Sequence, residues 1–399
     1  MSVVTDLLAR LDGIGRDPRG GWSRPGFGEA DLGLRAWFAE QATALGLDVV
    51  PGRNGDLWAW WGAPGPDAVV TGSHLDSVPG GGRLDGPLGV VSALVAVGRL
   101  RAAGFRPARP IAVVVLPEEE GSRFGVACLG SRLMTGALRP DDARALRDAD
   151  GTALADALRA AGVDPQGIGR DDAALARIGR FVELHVEQGR ALADLDAPVG
   201  IATGILAHGR WQITVTGRGD HAGTTRMPDR ADPVVAAARV VLAVEAAALA
   251  ADGARATVGR IDAVPGGTNV IASRVEVSLD VRAASASAVR SVLARIEEDG
   301  ALAAALSGCA FGIEQRSWSD EVVFDPALRA ALVDLLGDVP QLPTGAGHDA
   351  GVLAARVPTA MLFVRNPTGV SHAPGEDAAQ ADLDAGVDAL EAVVRHLAA

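Results

Sequence analysis

Short apolar runs rich in β-branched residues alternate with stretches of helical spacing through the first half of the chain. Asp67–Gly72, Pro110–Leu116 and Phe181–Val186 are such runs, suited to strands covered on both faces. Among them, Glu29–Leu45 and Pro87–Ala103 carry apolar residues at helical intervals and stop at Gly46 and Gly104. Strand, helix and strand in this order predict an α/β domain on a doubly wound sheet. Residues 131–178, rich in Ala, Asp, Arg and Leu, read as short surface helices.

Near residue 208 the pattern changes. Trp211–Gly217 and Arg274–Arg282 alternate like half-exposed strands, and Ala256–Ile261 and Cys309–Arg316 complete a set of four. Helical stretches Asp232–Leu249 and Ser285–Glu298 separate them. The order β-α-β-β-α-β predicts a ferredoxin-like α+β domain over 209–322, inserted as a separate domain. From 323 the first pattern resumes with a helix, a glycine loop, the strand Pro358–Val364 and a helix from Asp382 to the end. The α/β domain is therefore expected to be discontinuous, 1–208 and 323–399.

The polar residues that break these patterns stand where strands end. Thr71–Val90, TGSHLDSVPGGGRLDGPLGV, holds His74, Asp76, a run of three glycines and Asp85. Pro110–Leu116 leads into Glu118–Glu120, Phe181–Val186 carries His185, and His372 follows the last strand. A doubly wound sheet collects its site at the carboxyl ends of its strands, so these groups are expected to meet. His74, Asp85, Glu120, His185 and His372 form a nitrogen and oxygen donor set suited to Zn²⁺, Mn²⁺ or Co²⁺. Five ligands exceed what one catalytic ion with an open position takes, but suit two divalent ions sharing a carboxylate. Asp85 is the expected bridge, with His74 and His185 on one ion and Glu120 and His372 on the other. Glu119 is then placed as general base and acid. Asp76 is expected to fix the imidazole of His74.

Composition narrows the chemistry. The 399-residue chain has a formal net charge of −13, which disfavours nucleic acid and anionic membrane as partners. It contains no lysine and no tyrosine, which excludes a Walker P-loop, a Schiff-base lysine and a tyrosine acid. Its two cysteines, Cys128 and Cys309, form no CxxC pattern and offer no thiolate metal site. With no signal-like or membrane-spanning run, a cytoplasmic protein is expected.

In the inserted domain, GRGDHAGTT holds His221 among glycines and hydroxyls, Asn269 follows a Gly-Gly-Thr turn, and Arg282 ends a strand. An amide and a guanidinium fork suit a carboxylate or ureido substrate. GAGHDA places His348 in a glycine loop that opens a helix, as a second polarising group.

Together GSHLDSVPGGGRLDGPLGV, EEEGSRF, ELHVEQG, GRGDHAGTT, TNVIASRVEVSLDVR, GAGHDA and GVSHAPGE resemble the dinuclear amidohydrolases of the M20 metallopeptidase superfamily. The similarity is to the branch that cleaves allantoate, N-carbamoyl-L-amino acids and β-ureidopropionate. That resemblance implies two metals on the five ligands above, Glu119 as catalytic glutamate, and a lid that also dimerises. It further implies that Gln188, His221, Asn269, Arg282 and His348 contact the substrate or its oxyanion. His185 in ELHVEQG fits the carbamoyl-cleaving branch better than the peptidases, which usually have a carboxylate there. Departures lie on the substrate side, with Arg218-Gly-Asp before His221 and Ala272 after Asn-Val-Ile. The expectation is hydrolysis of a ureido C–N bond in a small carboxylate, allantoate first and an N-carbamoyl amino acid second. An M20 aminopeptidase or dipeptidase and a non-catalytic binding protein are the alternatives.

Overall fold

A computed structural model of the chain describes residues 2–399. The β-branched run Ile111–Leu116 is a strand buried at all six positions, and Ala68–His74 is buried at all seven. Ile178–Val186 and Thr359–Val364 lie in the same sheet. Residues of this kind tolerate burial on both faces because their backbone groups are satisfied by neighbouring strands. The spatial order Ile111–Leu116, Ala68–His74, Ile178–Val186, Thr359–Val364 is parallel throughout. His74 lies opposite Leu116 and His185 opposite Phe363, so the carboxyl ends of all four strands share one edge.

Antiparallel strands extend this core on both sides. Leu57–Trp61 pairs with Ile111–Leu116 and with Asp48–Pro51, and Val199–Ile205 pairs with Thr359–Val364. The sheet is therefore mixed rather than wholly parallel, and these outer strands were not expected from the sequence pattern. Helix Pro87–Ala102 is buried on nearly every face, as a helix apolar all round must be. The stretch 131–178 also differs from expectation. Its helices are not simply superficial, because Leu133, Leu154, Leu158 and Ile168 close a small core with Phe27, Phe124 and Leu129.

The chain forms two units, Met1–Gly204 with Val323–Ala399, and Ile205–Val322. In the second, Ala310–Ser319, Ala207–Thr216, Arg274–Ala283 and Arg255–Val264 form an antiparallel sheet in that order. This is the ferredoxin-like arrangement, and alternation along Arg274–Ala283 buries Val275, Val277, Leu279 and Val281. Those residues share a core with Val240 and Val244 of helix Pro233–Leu249 and Val289, Val292 and Ile296 of helix Ala286–Ala305. No helix of the described residues is long and apolar enough to cross a membrane.

Candidate metal centre

His74 ends its strand and His185 lies at the next-to-last position of the neighbouring one, so backbone pairing fixes the two imidazoles side by side. Their rings stand 5.9 Å apart, and both are fully buried. Asp85 comes to them from the loop before helix Pro87–Ala102. Gly86, with φ +87°, makes the turn there, and a side chain at that position would collide with the His74 ring.

The two oxygens of Asp85 face different partners. Oδ1 lies 3.6 Å from His74 Nε2 and 3.2 Å from His185 Nε2. Oδ2 lies 3.3 Å from His372 Nε2, and His372 Nε2 is in turn 3.3 Å from Glu120 Oε2. Two ligand groups result, His74 with Asp85 and His185, and Asp85 with Glu120 and His372. The first is wholly buried, whereas His372, in left-handed backbone conformation with φ +57°, keeps the second partly open.

Hydrogen bonds prepare the imidazoles for a cation. Nδ1 of His74 donates to the Asp76 carbonyl at 3.0 Å, and Nδ1 of His185 donates to the Val186 carbonyl at 2.9 Å. With Nδ1 committed, each ring turns Nε2 toward Asp85, and neither buried Nε2 has a hydrogen-bond partner. The role expected of Asp76 is therefore divided. Its backbone carbonyl orients His74, and its carboxylate instead accepts the backbone N–H groups of Glu119 and Glu120, at 3.2 and 3.1 Å.

The electrostatics also call for positive charge. Among the described residues the ion-pair partners of Asp85, Glu119 and Glu120 are all histidines. Burial favours the neutral imidazole of His74, but Asp85, Glu119 and Asp76 outweigh it and hold its pKa well above the usual value. Asp85 raises His372 to about 9. Burial pushes Glu119 well above the carboxylate range, and burial with Asp85 carries Glu120 to about 7. Buried lone pairs converging with excess carboxylate are stabilised by a multivalent cation, so the donor set fits a dinuclear site.

Glu119 Oε2 stands 3.7 Å from His74 Nε2, and its Oε1 accepts from the Cys128 thiol at 3.3 Å. Gln188, expected to contact substrate, donates its amide to Asp85 Oδ2 at 2.9 Å. His348 is buried with its ring 4.6 Å from that of His185, and burial and His185 hold its pKa well below the usual value. Glu183 also approaches His185 and His348, but both its oxygens are occupied, by Ser73 Oγ at 2.6 Å and Ala350 N–H at 3.0 Å. That group reads as packing behind the centre. Glu183 and Glu376 went unnoticed in the sequence. A glutamate inside an otherwise apolar strand was the available signal for Glu183.

The remaining expected residues belong to the four-stranded unit. His221 is exposed on Asp220–His221, which pairs with Val270–Ile271, and its Nδ1 accepts from Gly223 N–H at 3.0 Å. Asn269 is exposed in the adjoining turn, and its carbonyl accepts from Ala222 N–H at 3.0 Å. Arg282 is half-buried and donates to both oxygens of Asp280, at 2.8 and 3.2 Å.

Residues 70–396 match the family model described as peptidase family M20/M25/M40. The chain belongs to the M20 family. It is 37% identical to an N-carbamoyl-L-amino acid amidohydrolase of Geobacillus stearothermophilus, covering 98% of this chain and 97% of that one. It is 34% identical to an allantoate amidohydrolase of Escherichia coli K12, covering 99% and 98%. A crystal structure of a hydantoinase/carbamoylase family amidase from Burkholderia multivorans superposes with a TM-score of 0.88 at 32% identity, covering 99% and 97%. The chain is thus a metal-dependent amidohydrolase of the M20 family's hydantoinase/carbamoylase branch, a hydrolase of linear amide C–N bonds. Its buried His, Asp and Glu clusters accord with the dinuclear site of M20 enzymes.

Proposed function

We propose that this M20 enzyme hydrolyses the carbamoyl C–N bond of a small carboxylate-bearing ureide, with allantoate as its substrate. One water is consumed, the carbamoyl carbon leaves as carbon dioxide, its terminal nitrogen leaves as ammonia, and the amine of the remaining molecule is released. The observation that supports this reading most directly is Asp85, with one oxygen toward His74 and His185 and the other toward His372.

In this reading His74, His185 and Asp85 hold one divalent ion, and Asp85, Glu120 and His372 hold the other, the ions being Zn²⁺, Mn²⁺ or Co²⁺. Bound ions supply Lewis acidity and a water of lowered pKa. Glu119 takes the proton from the attacking water and delivers it to the departing nitrogen, a task suited to a carboxyl that burial makes a stronger base than a solvated one. Asp76 holds the backbone of Glu119 and Glu120 in place. Arg282 and Asn269 grip the substrate carboxylate, His221 donates to the developing oxyanion, and Gln188 and His348 orient the ureido group.

An N-carbamoyl-L-amino acid is the second reading, favoured by the 37% identity to the Geobacillus enzyme of that name. The stretch NGDLWAWWG serves the sheet rather than a substrate, since Trp58 and Trp60 are buried and Trp58 donates to buried Asp56. Ammonia release from allantoate, N-carbamoyl-L-amino acids, N-carbamoyl-β-alanine and dipeptides tests both readings, using metal-stripped enzyme restored with Mn²⁺ or Zn²⁺. Release from allantoate is expected. Release chiefly from carbamoyl amino acids would move the substrate, and no release from any member would overturn the ureide reading.

We also infer a homodimer assembled through the lid unit. Its helix Pro233–Leu249 exposes Val235, Leu242 and Leu249 at intervals of seven, 44%, 63% and 83% exposed. Such a line of apolar residues on one helix face is suited to a partner. Sedimentation at the mass of two chains is the expected result.

A further inference from the structure

Glu376 lies four residues after His372 and is 2% exposed. Its Oε1 accepts the backbone N–H of Leu84 at 3.0 Å and of Asp85 at 2.9 Å, from 292 and 291 residues away in the sequence. The backbone N–H of Glu376 bonds the Ala373 carbonyl at 3.1 Å, closing a turn directly after His372. Gly82 lies against the same carboxylate, and a Cβ there would collide with Glu376 Oε1. The last glycine of the Gly80-Gly81-Gly82 run therefore makes room for a buried glutamate, while Gly86 makes the turn. A carboxylate accepting two buried backbone N–H groups at one oxygen is a strong anchor, and removing it would leave both donors unsatisfied.

We propose that Glu376 is a positioning residue that ties the backbone of Asp85 to the segment carrying His372, so that two ligands of the second ion arrive as one unit. This rests on the two-ion reading above. His74 and His185 are held by strands of the sheet and need no such tie. The ion on Asp85, Glu120 and His372 has two of its three protein ligands joined through Glu376. The ion on His74, His185 and Asp85 has one.

The test is calorimetric titration of chelator-stripped protein with Mn²⁺, with circular dichroism to check the fold. Wild type is expected to take two ions. Glu376→Ala should bind the first almost as before and the second about 10- to 100-fold more weakly, the usual cost of losing a residue that orients a ligand. Glu376→Gln keeps an acceptor oxygen for the two N–H groups and should restore the second ion. Gly82→Ala pushes on the same carboxylate from the other side and should reproduce the selective loss. It also keeps the inference testable if Glu376→Ala does not fold. Combining Gly82→Ala with Glu376→Ala should cost no more than the worse single change. Two ions bound with wild-type affinity in Glu376→Ala and Gly82→Ala, or equal weakening of both ions, would overturn the proposal. A wild type that binds fewer than two ions would overturn the two-ion reading instead.

Discussion

His74, His185 and Asp85 are almost wholly buried and occupy strand ends or the turn into a buried helix, whereas His221 and Asn269 are exposed, on a two-residue strand and in the adjoining turn. Pairing across the parallel strands fixes the first set before any ligand arrives, and hydrogen bonds to the Asp76 and Val186 carbonyls fix the rings. The second set is held locally, by Gly223 on His221 and Asp280 on Arg282. The contrast teaches that the candidate ligand set is organised by the sheet itself, while His221 and Asn269 rest on short, exposed local structure.

The severest break should come from Asp85→Ala, which removes the carboxylate shared by both ligand groups. Metal analysis should find both ions lost, with ammonia release reduced to background. Glu119→Gln should then separate chemistry from ion binding. Turnover is expected to fall by about 10²- to 10⁴-fold, the usual contribution of a general acid or base, with ion content unchanged. Loss of metal in that variant would mean that Glu119 is a ligand.

On the other side of the comparison, Arg282→Ala should leave both ions in place and raise KM by about 10- to 100-fold, as expected for one charged hydrogen-bonding group. Unchanged KM would remove Arg282 from the substrate contacts. Over a single pH unit the effect should be the mildest, and it should be graded. Asp85 raises His372 to about 9, so below that value the ring carries a proton that an ion must displace. Affinity for the second ion should therefore fall as pH drops from 9, by about tenfold per unit for one displaced proton. Calorimetry in two buffers of different ionisation enthalpy would count the protons released, and zero would contradict this assignment.

The α/β class and the ferredoxin-like insertion were legible because each has its own period, continuous burial in Ile111–Leu116 and alternation in Arg274–Ala283. The five candidate ligands were legible because a polar residue at the end of an apolar strand is conspicuous. What escaped was polarity whose partner is distant in the chain. Glu183 meets Ser73 and Ala350, Ser131 meets Asp349 at 2.5 Å, and Glu376 meets Leu84. No local pattern announces such pairs. The strands Asp48–Pro51 and Leu57–Trp61 escaped because they are short, and Asp48–Pro51, at the edge of the sheet, is buried at no position. The small core under 131–178 was hidden by the Ala, Asp and Arg that cover its outer face.

Asp85 has a further consequence. Because one carboxylate faces both ligand groups, an ion held by His74, His185 and Asp85 would alter what Asp85 offers to an ion held with Glu120 and His372. Equilibrium thermodynamics makes that influence mutual: whatever factor the first ion imposes on the affinity of the second, the second imposes on the first. Occupancy of two such positions would then be a single linked equilibrium, and a mixed-metal enzyme would depend on the order of loading only until the ions exchange.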